Sequence, residues 1–260
     1  MSAKLLYLDI ECSPLVVHSW SLRDLHIGLN QIVEDPRMIG VGLMWEGERK
    51  STFYSEFHHG RREMLEVVHA ALDEADLVAG YNSQGFDVPW INGELAREGF
   101  LPPSPHKNID LYRIAKKHFR FPSHKLQYVS TALGLPGKHE TGGHSLWVKC
   151  MEGDAAAWAK MERYCNRDVT LLPKLLNKLR PWANGLNFSL YEEPEIDPET
   201  GKPVAQYMCP GCVSPNVQRR GWAVKQTRRY RRYQCQACGL WSTDTSADAE
   251  MKVGLIGEAR

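Results

Sequence analysis

The run Lys4-Leu-Leu-Tyr-Leu-Asp9-Ile-Glu11-Cys-Ser-Pro14 decides how the rest of the chain is read. An apolar stretch closing on Asp-x-Glu is a strand that delivers two carboxylates to one face, because strand side chains alternate with a period of two. Two later stretches answer it. Gly80-Tyr-Asn82-Ser-Gln-Gly-Phe86-Asp87 joins a strand exit to an amide, an aromatic ring and an acid. Arg163-Tyr164-Cys-Asn-Arg-Asp168 sets a tyrosine and an aspartate four apart in a helical pattern, on one helix face. Acids are common near strand ends, so Asp9-Ile-Glu11 or the Tyr164/Asp168 pair decides little alone; the three motifs in this order decide much more. If the fold gathers Asp9, Glu11, Asp87 and Asp168, the nest of carboxylates needs divalent cations. Hard oxygen donors select Mg²⁺ or Mn²⁺, and two such ions about 4 Å apart are the usual apparatus for phosphodiester hydrolysis.

Around these motifs the pattern alternates between strand and helix. Leu5–Ile10, Leu15–Ser21, Met38–Trp45 and Lys50–Tyr54 read as strands, with Val41, Leu43 and Trp45 alternating. Residues 61–74 place Met64, Val67, Val68, Ala71 and Leu72 at helical spacing. A short strand is expected at Leu77–Tyr81, a helix at Asp87–Glu98 with Pro89 in its first turn, and a strand ending at Ile109. Helices follow at Leu111–His118, Leu126–Leu133 and Asp154–Leu179, the last capped by Asp154, with Pro173 kinking it or ending its first half. Asp110 reads as a helix cap. Gly137–Trp147 reads as a polar loop that, with Lys125, could touch substrate; His139 and His144 read as surface residues. Strands first, then alternating strand and helix, give an α/β domain with a mixed central sheet.

Composition bounds the class. Hydrophobic residues make 43% and charged residues 24% of the 260, as in soluble globular proteins. No run approaches the roughly 18 apolar residues of a membrane helix, and the N-terminus lacks the features of a signal peptide, so a cytoplasmic protein is expected, in a bacterium or a phage-infected host. The net charge of +1 hides a division. Residues 207–241 hold seven Lys/Arg and no Asp/Glu, a charge of +7, while the remainder holds 25 basic against 31 acidic residues, a charge of −6. An acidic body that handles metal and a basic appendage that touches phosphate fit this split.

The appendage carries its own metal signature. Cys209-Pro-Gly-Cys212 and Cys235-Gln-Ala-Cys238, separated by 22 residues, are two thiolate knuckles for one structural Zn²⁺. A module this small cannot bury a sufficient core, so zinc supplies its folding energy, on the order of 10 kcal/mol. Between the knuckles Arg219, Arg220, Lys225, Arg228, Arg229, Arg231 and Arg232 interleave with Trp222, Tyr230 and Tyr233, a surface suited to phosphates and unstacked bases. A solvated hairpin and a protein-docking face are the other readings. Cys12, Cys150 and Cys165 read as reduced, buried, hydrophobe-like thiols. The expected organisation is a body over 1–190, an acidic proline-containing linker over 191–206, a β-rich zinc ribbon over 207–241 and a flexible tail over 242–260.

The motifs LDIE (8–11), YNSQGFD (81–87) and YCNRD (164–168) resemble those of the DEDD superfamily of 3′–5′ exonucleases, over roughly residues 4–180. They are especially similar to the proofreading domains of family B DNA polymerases and to stand-alone phage exonucleases. The histidine branch would place His at the position of Arg163; here a tyrosine stands four before the last acid, as in the tyrosine branch. The resemblance implies a ribonuclease-H-like architecture, a mixed central sheet flanked by helices. It also implies roles. Asp9 would bridge two metals, Glu11 and Asp168 would hold the metal that activates water, and Asp87 would reach the second metal through water. Tyr164 would position or partly deprotonate the attacking water, while Asn82 and Phe86 would flank the terminal nucleotide. The ribbon is similar to zinc ribbons of transposases and replication proteins. The function so implied is metal-dependent 3′–5′ hydrolysis of DNA, single-stranded or frayed, in replication or repair, with proofreading for a partner polymerase as one setting. RNA-directed exonuclease activity and a non-catalytic nucleic-acid-binding role are the alternatives.

Overall fold

Leu5–Cys12 forms the central strand β1, buried along almost its whole length because both faces are covered by helices. The structure, a computed structural model, describes residues 3–21, 26–137, 143–183, 185–193, 195–202, 207–225 and 228–245. After β1 come the short strands β2 (Val16–Val17) and β3 (Ile32–Glu34), which pair only with each other, then β4 (Met38–Trp45) and β5 (Thr52–Ser55). The chain continues through α1 (Glu56–His59), α2 (Arg61–Glu74), β6 (Leu77–Gly80), α3 (Asp87–Arg97), β7 (Lys107–Asp110), α4 (Leu111–His118), α5 (Leu126–Ala132), α6 (His144–Met151) and α7 (Ala155–Leu179). The five main strands lie in the order β5-β4-β1-β6-β7. β5, β4 and β1 run antiparallel, whereas β1, β6 and β7 run parallel. This is the mixed α/β sheet flanked by helices that the sequence implies.

Two apolar layers hold the sheet. On one face Leu6, Leu8, Ile10, Val41 and Leu43 pack against Met64, Leu65, Val68 and Leu72 of α2 and Ile91 and Leu95 of α3. On the other, Ile39 and Phe53 meet Leu146 and Cys150 of α6 and Trp158, Met161 and Cys165 of α7. Both α3 and the sheet are tied by acids: buried Glu94 accepts from the Met38 N–H and pairs with Arg61. Asp154 caps α7 as expected, its Oδ1 accepting the N–H groups of Ala156 at 2.8 Å and Ala157 at 3.1 Å.

Two expectations need correction. Of Leu15–Ser21 only Val16 and Val17 are strand; both sit beside exposed residues and have no sheet to join except β3. Residues 144–147 are not loop but the start of α6, because Leu146 and Cys150, four apart, bury the same helix face against Trp158. Lys138–Gly142, including His139, fall outside the described residues; His144 is exposed. α7 carries Pro173 in its interior and runs to Leu179, the end the sequence range gives it. A proline inside a helix costs about 3 kcal/mol, and burial of Leu172, Leu175, Leu176 and Leu179 on either side offsets it.

The chain divides into two compact units, Lys4–Leu176 and a second containing Asn177–Arg260. In the second, β8 (Val217–Lys225), β9 (Arg228–Cys235) and β10 (Trp241–Thr243) form an antiparallel sheet in the order β10-β9-β8. Among the described residues no helix is long and apolar enough to cross a membrane.

Candidate functional site

Register places the acids of β1. Asp9 pairs with Gly42 and Glu11 with Gly40 of β4, so these four residues share one face of the sheet. A β-carbon at Gly42 would lie 2.8 Å from Val169 Cγ2 and 2.9 Å from Cys165 Sγ. The missing side chain therefore lets α7 lie directly on the sheet beside Asp9. That close approach brings the Tyr164/Asp168 face of α7 to the two acids. Asp9, Glu11 and Cys165 offer ligand atoms all within 4.8 Å of one another, and the Cys165 thiol donates to the Asp9 carbonyl at 3.6 Å. Glu11 and Asp168 are 5% and 4% exposed.

Asp87 arrives from the other layer. β6 pairs with β1 only as far as Tyr7, so the N–H of Ile10 faces no strand on that side. Asp87, in the first turn of α3, accepts it at 3.1 Å. An acid from the second motif is thereby bonded to the strand that carries the first. The loop before it is equally tied: the N–H groups of Asn82 and Gln84 donate to Asp110 at 3.0 and 3.2 Å, and Arg113 N–H donates to the same carboxylate. Asp110 is the helix cap expected, and it is also the anchor of the Asn82–Phe86 turn. Asn82 adopts φ 63°, a left-handed conformation that asparagine tolerates. Phe86 is 41% exposed and so belongs to no core; its ring lies 6.2 Å from that of Trp90. A groove of about 730 Å³ opens from Tyr81 and Asn82 along Tyr112, Lys116, His124 and Lys125.

The electrostatics of this cluster are those of crowded negative charge. The Tyr164 hydroxyl donates to Asp168; burial first, then the charges of Asp168, Glu11 and Asp9, push it far above the ordinary phenol range. In the metal-free site Tyr164 is a hydrogen-bond donor to Asp168. Burial, reinforced by Asp9, Glu11 and Asp168, likewise holds Cys165 well above a normal thiol, and burial with Asp87 and Glu11 pushes Cys12 to about 12. Asp87 is pushed up to about 7 by burial, with the charge of Asp110 adding to it against hydrogen bonds from Ile10 and its own N–H. Converging carboxylate oxygens suit a hard divalent cation.

Five residues with a part here escape the motif reading. Gly42 admits α7; Cys165 faces the acids rather than a purely apolar core; Trp147 of α6 sets its ring edge against Tyr164 at 5.9 Å. Asp110 anchors the second motif and Glu94 anchors β4. Gly40-Val-Gly42 inside a strand pattern is the available signal, since isolated strand glycines mark close approach.

In the second unit Cys209, Cys212, Cys235 and Cys238 converge, with sulfurs within 4.8 Å of one another. The Cys209–Cys238 and Cys212–Cys235 separations are both 3.6 Å. That is far beyond a disulfide bond and close to the edge of a tetrahedron of thiolates about 2.3 Å from zinc, about 3.8 Å. The N–H groups of Gly211 and Cys238 donate to Cys209 and Cys235 at 3.4 and 3.5 Å. Although burial opposes it, donors from Cys238 and Ala237 and the sulfurs of Cys212 and Cys209 bring the Cys235 thiol down to about 7. The set fits one Zn²⁺. The hairpin beyond the knuckles alternates its cations between two faces. Arg219, Arg229 and Arg231 share one with Trp222; Lys225, Arg228 and Arg232 share the other with Tyr230 and Trp241. Arg220 sits in the bulge between Arg219 and Trp222, where Gly221 has φ 76° and Arg232 donates to the Arg220 carbonyl.

Sheet order, mixed strand direction and acids at the central strand define a ribonuclease-H-like α/β protein. The RNase_H_2 family model, of the RNase_H superfamily, matches residues 26–180, and the chain belongs to that superfamily. The match includes Asp87, Tyr164 and Asp168 and begins after Asp9 and Glu11. The chain is also similar in fold to the family B DNA polymerase of the hyperthermophilic archaeon Pyrobaculum calidifontis, at 19% identity and a TM-score of 0.51, over 69% of its length. The chain spans 25% of that polymerase. Among curated proteins no sequence matches.

Proposed function

We propose that this chain is a metal-dependent 3′–5′ exonuclease acting on single-stranded or frayed DNA ends, of the tyrosine branch of the DEDD group. One observation carries the reading: Asp9 and Glu11 meet the Tyr164/Asp168 face of α7 across Gly42, while Asp87 is bonded to the same strand. Asp9, Glu11 and Asp168 would hold one Mg²⁺ or Mn²⁺, and Asp9 with Asp87 a second. Such ions, when bound, neutralise the scissile phosphate and bring a water within reach of ionisation near neutral pH.

The residues of the chain do the rest. Tyr164, protonated and donating, orients the attacking water instead of taking its proton. Asp110 fixes the turn from which Asn82 and Phe86 reach the terminal nucleotide, Asn82 by polar contact and Phe86 by packing. Lys116 and Lys125, in the groove beside Asn82, supply cations for the phosphates behind it, and Tyr112 supplies a ring. The zinc-bound ribbon tethers substrate. The setting that fits is replication or repair, with proofreading for a polymerase as one such role.

End-labelled single-stranded DNA, duplex DNA and RNA, each with Mg²⁺ or Mn²⁺, test the reading. Mononucleotides released from the 3′ end of DNA are expected. Asp9→Ala, Asp87→Ala and Asp168→Ala should each abolish release, and Tyr164→Phe should slow it while leaving metal binding intact. Variants as fast as the parent would refute the assignment; faster release from RNA than from DNA would reassign the substrate.

A further inference from the structure

Three aromatic rings of the ribbon, Trp222, Tyr230 and Trp241, already carry cations. The guanidinium carbon of Arg229 lies 3.8 Å from the centre of the Trp222 ring and that of Arg231 lies 3.7 Å from it. Two guanidinium groups at those distances cannot fit side by side over one face, so they flank the ring, one on each side. On the opposite face of the hairpin Lys225 stands 5.0 Å over Tyr230 and Arg232 stands 4.8 Å over Trp241. Register explains the ladder: Trp222 pairs with Arg231, and Arg229 is its diagonal neighbour. A base-stacking platform needs an open aromatic face. Trp222 offers none, and Tyr230 and Trp241 each give one face to a cation.

The rings instead act as rails that hold cations in place. A flexible arginine loses rotamer freedom when it grips a phosphate; one already laid against an indole has lost it before the ligand arrives. The charge points the same way. Seven cations with no acid among residues 207–241 repel one another, and a polyanion is the ligand that relieves this. Guanidinium groups on either side of a ring also sit apart, as groups that grip successive phosphates must.

From this we propose that the hairpin binds the phosphodiester backbone of nucleic acid through preorganised guanidinium groups and does not read or stack bases. This deepens the tethering role given to the ribbon above and rests on it. The binding is sequence-independent and salt-sensitive, and Trp222 contributes by positioning Arg229 and Arg231, not by touching a base.

The test uses the full chain carrying Asp9→Ala, so that no strand is cut, with fluorescent single-stranded oligonucleotides whose bases are intact or abasic everywhere except the few nucleotides at the 3′ end. The two should bind within about twofold of each other. Base stacking would make the abasic strand weaker by about fivefold or more for each base removed from a ring, and that result would overturn the proposal. Adding Arg229→Gln and Arg231→Gln should weaken both strands equally and lower the slope of log affinity against log salt by roughly 0.7 for each phosphate no longer neutralised. Trp222→Ala, which removes no charge, should also weaken both strands equally; weakening confined to the base-bearing strand would contradict the rail role. Zinc content checks that each ribbon stays folded. Unchanged DNA affinity in the double arginine variant would sink the proposal and leave an acidic protein as the occupant. Hydrolysis of a chromogenic nucleotide ester by the chain with Asp9 intact reports the active site separately, so failure there and failure here are distinguishable.

Discussion

Asp87 concentrates the conflict between folding and chemistry in one side chain. It is 2% exposed, and burial with the nearby charge of Asp110 lifts its carboxyl from 3.8 to about 7. The unfolded chain therefore ionises it near pH 4 and the folded, metal-free chain only near 7. Between those values the folded state binds the extra proton, so stability falls as pH rises and stays low above 7. The effect is on the order of a few kcal/mol. Asp87→Asn should remove the penalty: the metal-free variant should melt higher than the parent at pH 8, converge with it near pH 4, and release no nucleotides. Thermal melts at several pH values check this, and equal melting temperatures at pH 8 would show that the acid is not strained. Mg²⁺ should raise the parent's melting temperature more at pH 8 than at pH 5, since it compensates the ionised form. Tyr164 makes the complementary point. Its hydroxyl donates to Asp168, so Tyr164→Phe should lower turnover without moving the acid limb of the pH–rate profile.

At the scale of elements, the site exists because α7 lies unusually close to β1 and β4. Gly42→Ala tests that directly. In an ordinary strand the change would help, since glycine is the poorer strand former. Here the new methyl meets Val169, wholly buried, and Cys165 at distances below 3.0 Å, so the helix must move. A loss of about 1–3 kcal/mol in a denaturant titration is expected, with nuclease turnover falling further than stability; adding Val169→Ala should restore part of both. An unchanged rate would mean that the acids do not depend on the helix. The elements themselves were largely legible. Residues 61–74 and 111–118 form the helices that apolar spacing predicts, and β1 and β4 run where alternation and apolar runs place strands. What hid was whatever depends on a distant partner. α6 was obscured by the polar stretch before it, and its identity rests on Leu146 and Cys150 finding Trp158. The pairing that sets Asp9 opposite Gly42 is a register between segments some thirty residues apart, which local periodicity cannot carry. The second role of Asp110 was hidden for the same reason: a cap is local, but its bonds to Asn82 and Gln84 span more than 25 residues.

At the scale of the whole molecule, charge and folding energy are both partitioned. Among the described residues the buried cluster of the basic ribbon amounts to little beyond the cysteines and Leu240, so zinc held by the four thiolates would supply its stability. The body has two full apolar layers, so its fold should not need zinc. The two should therefore fail separately. Cys235→Ser removes the thiol whose surroundings most favour the thiolate. It should abolish stoichiometric zinc binding and unfold β8–β10, while the helical circular dichroism and the hydrolysis of a chromogenic nucleotide ester stay within about twofold of the parent. Affinity for long single strands should fall, and the salt dependence that remains should be that of the body alone, shallower by roughly 0.7 for each phosphate the ribbon had neutralised. If ester hydrolysis disappears together with zinc, the ribbon is part of the catalytic machinery, and the separation of an acidic metal-handling body from a basic tether is wrong.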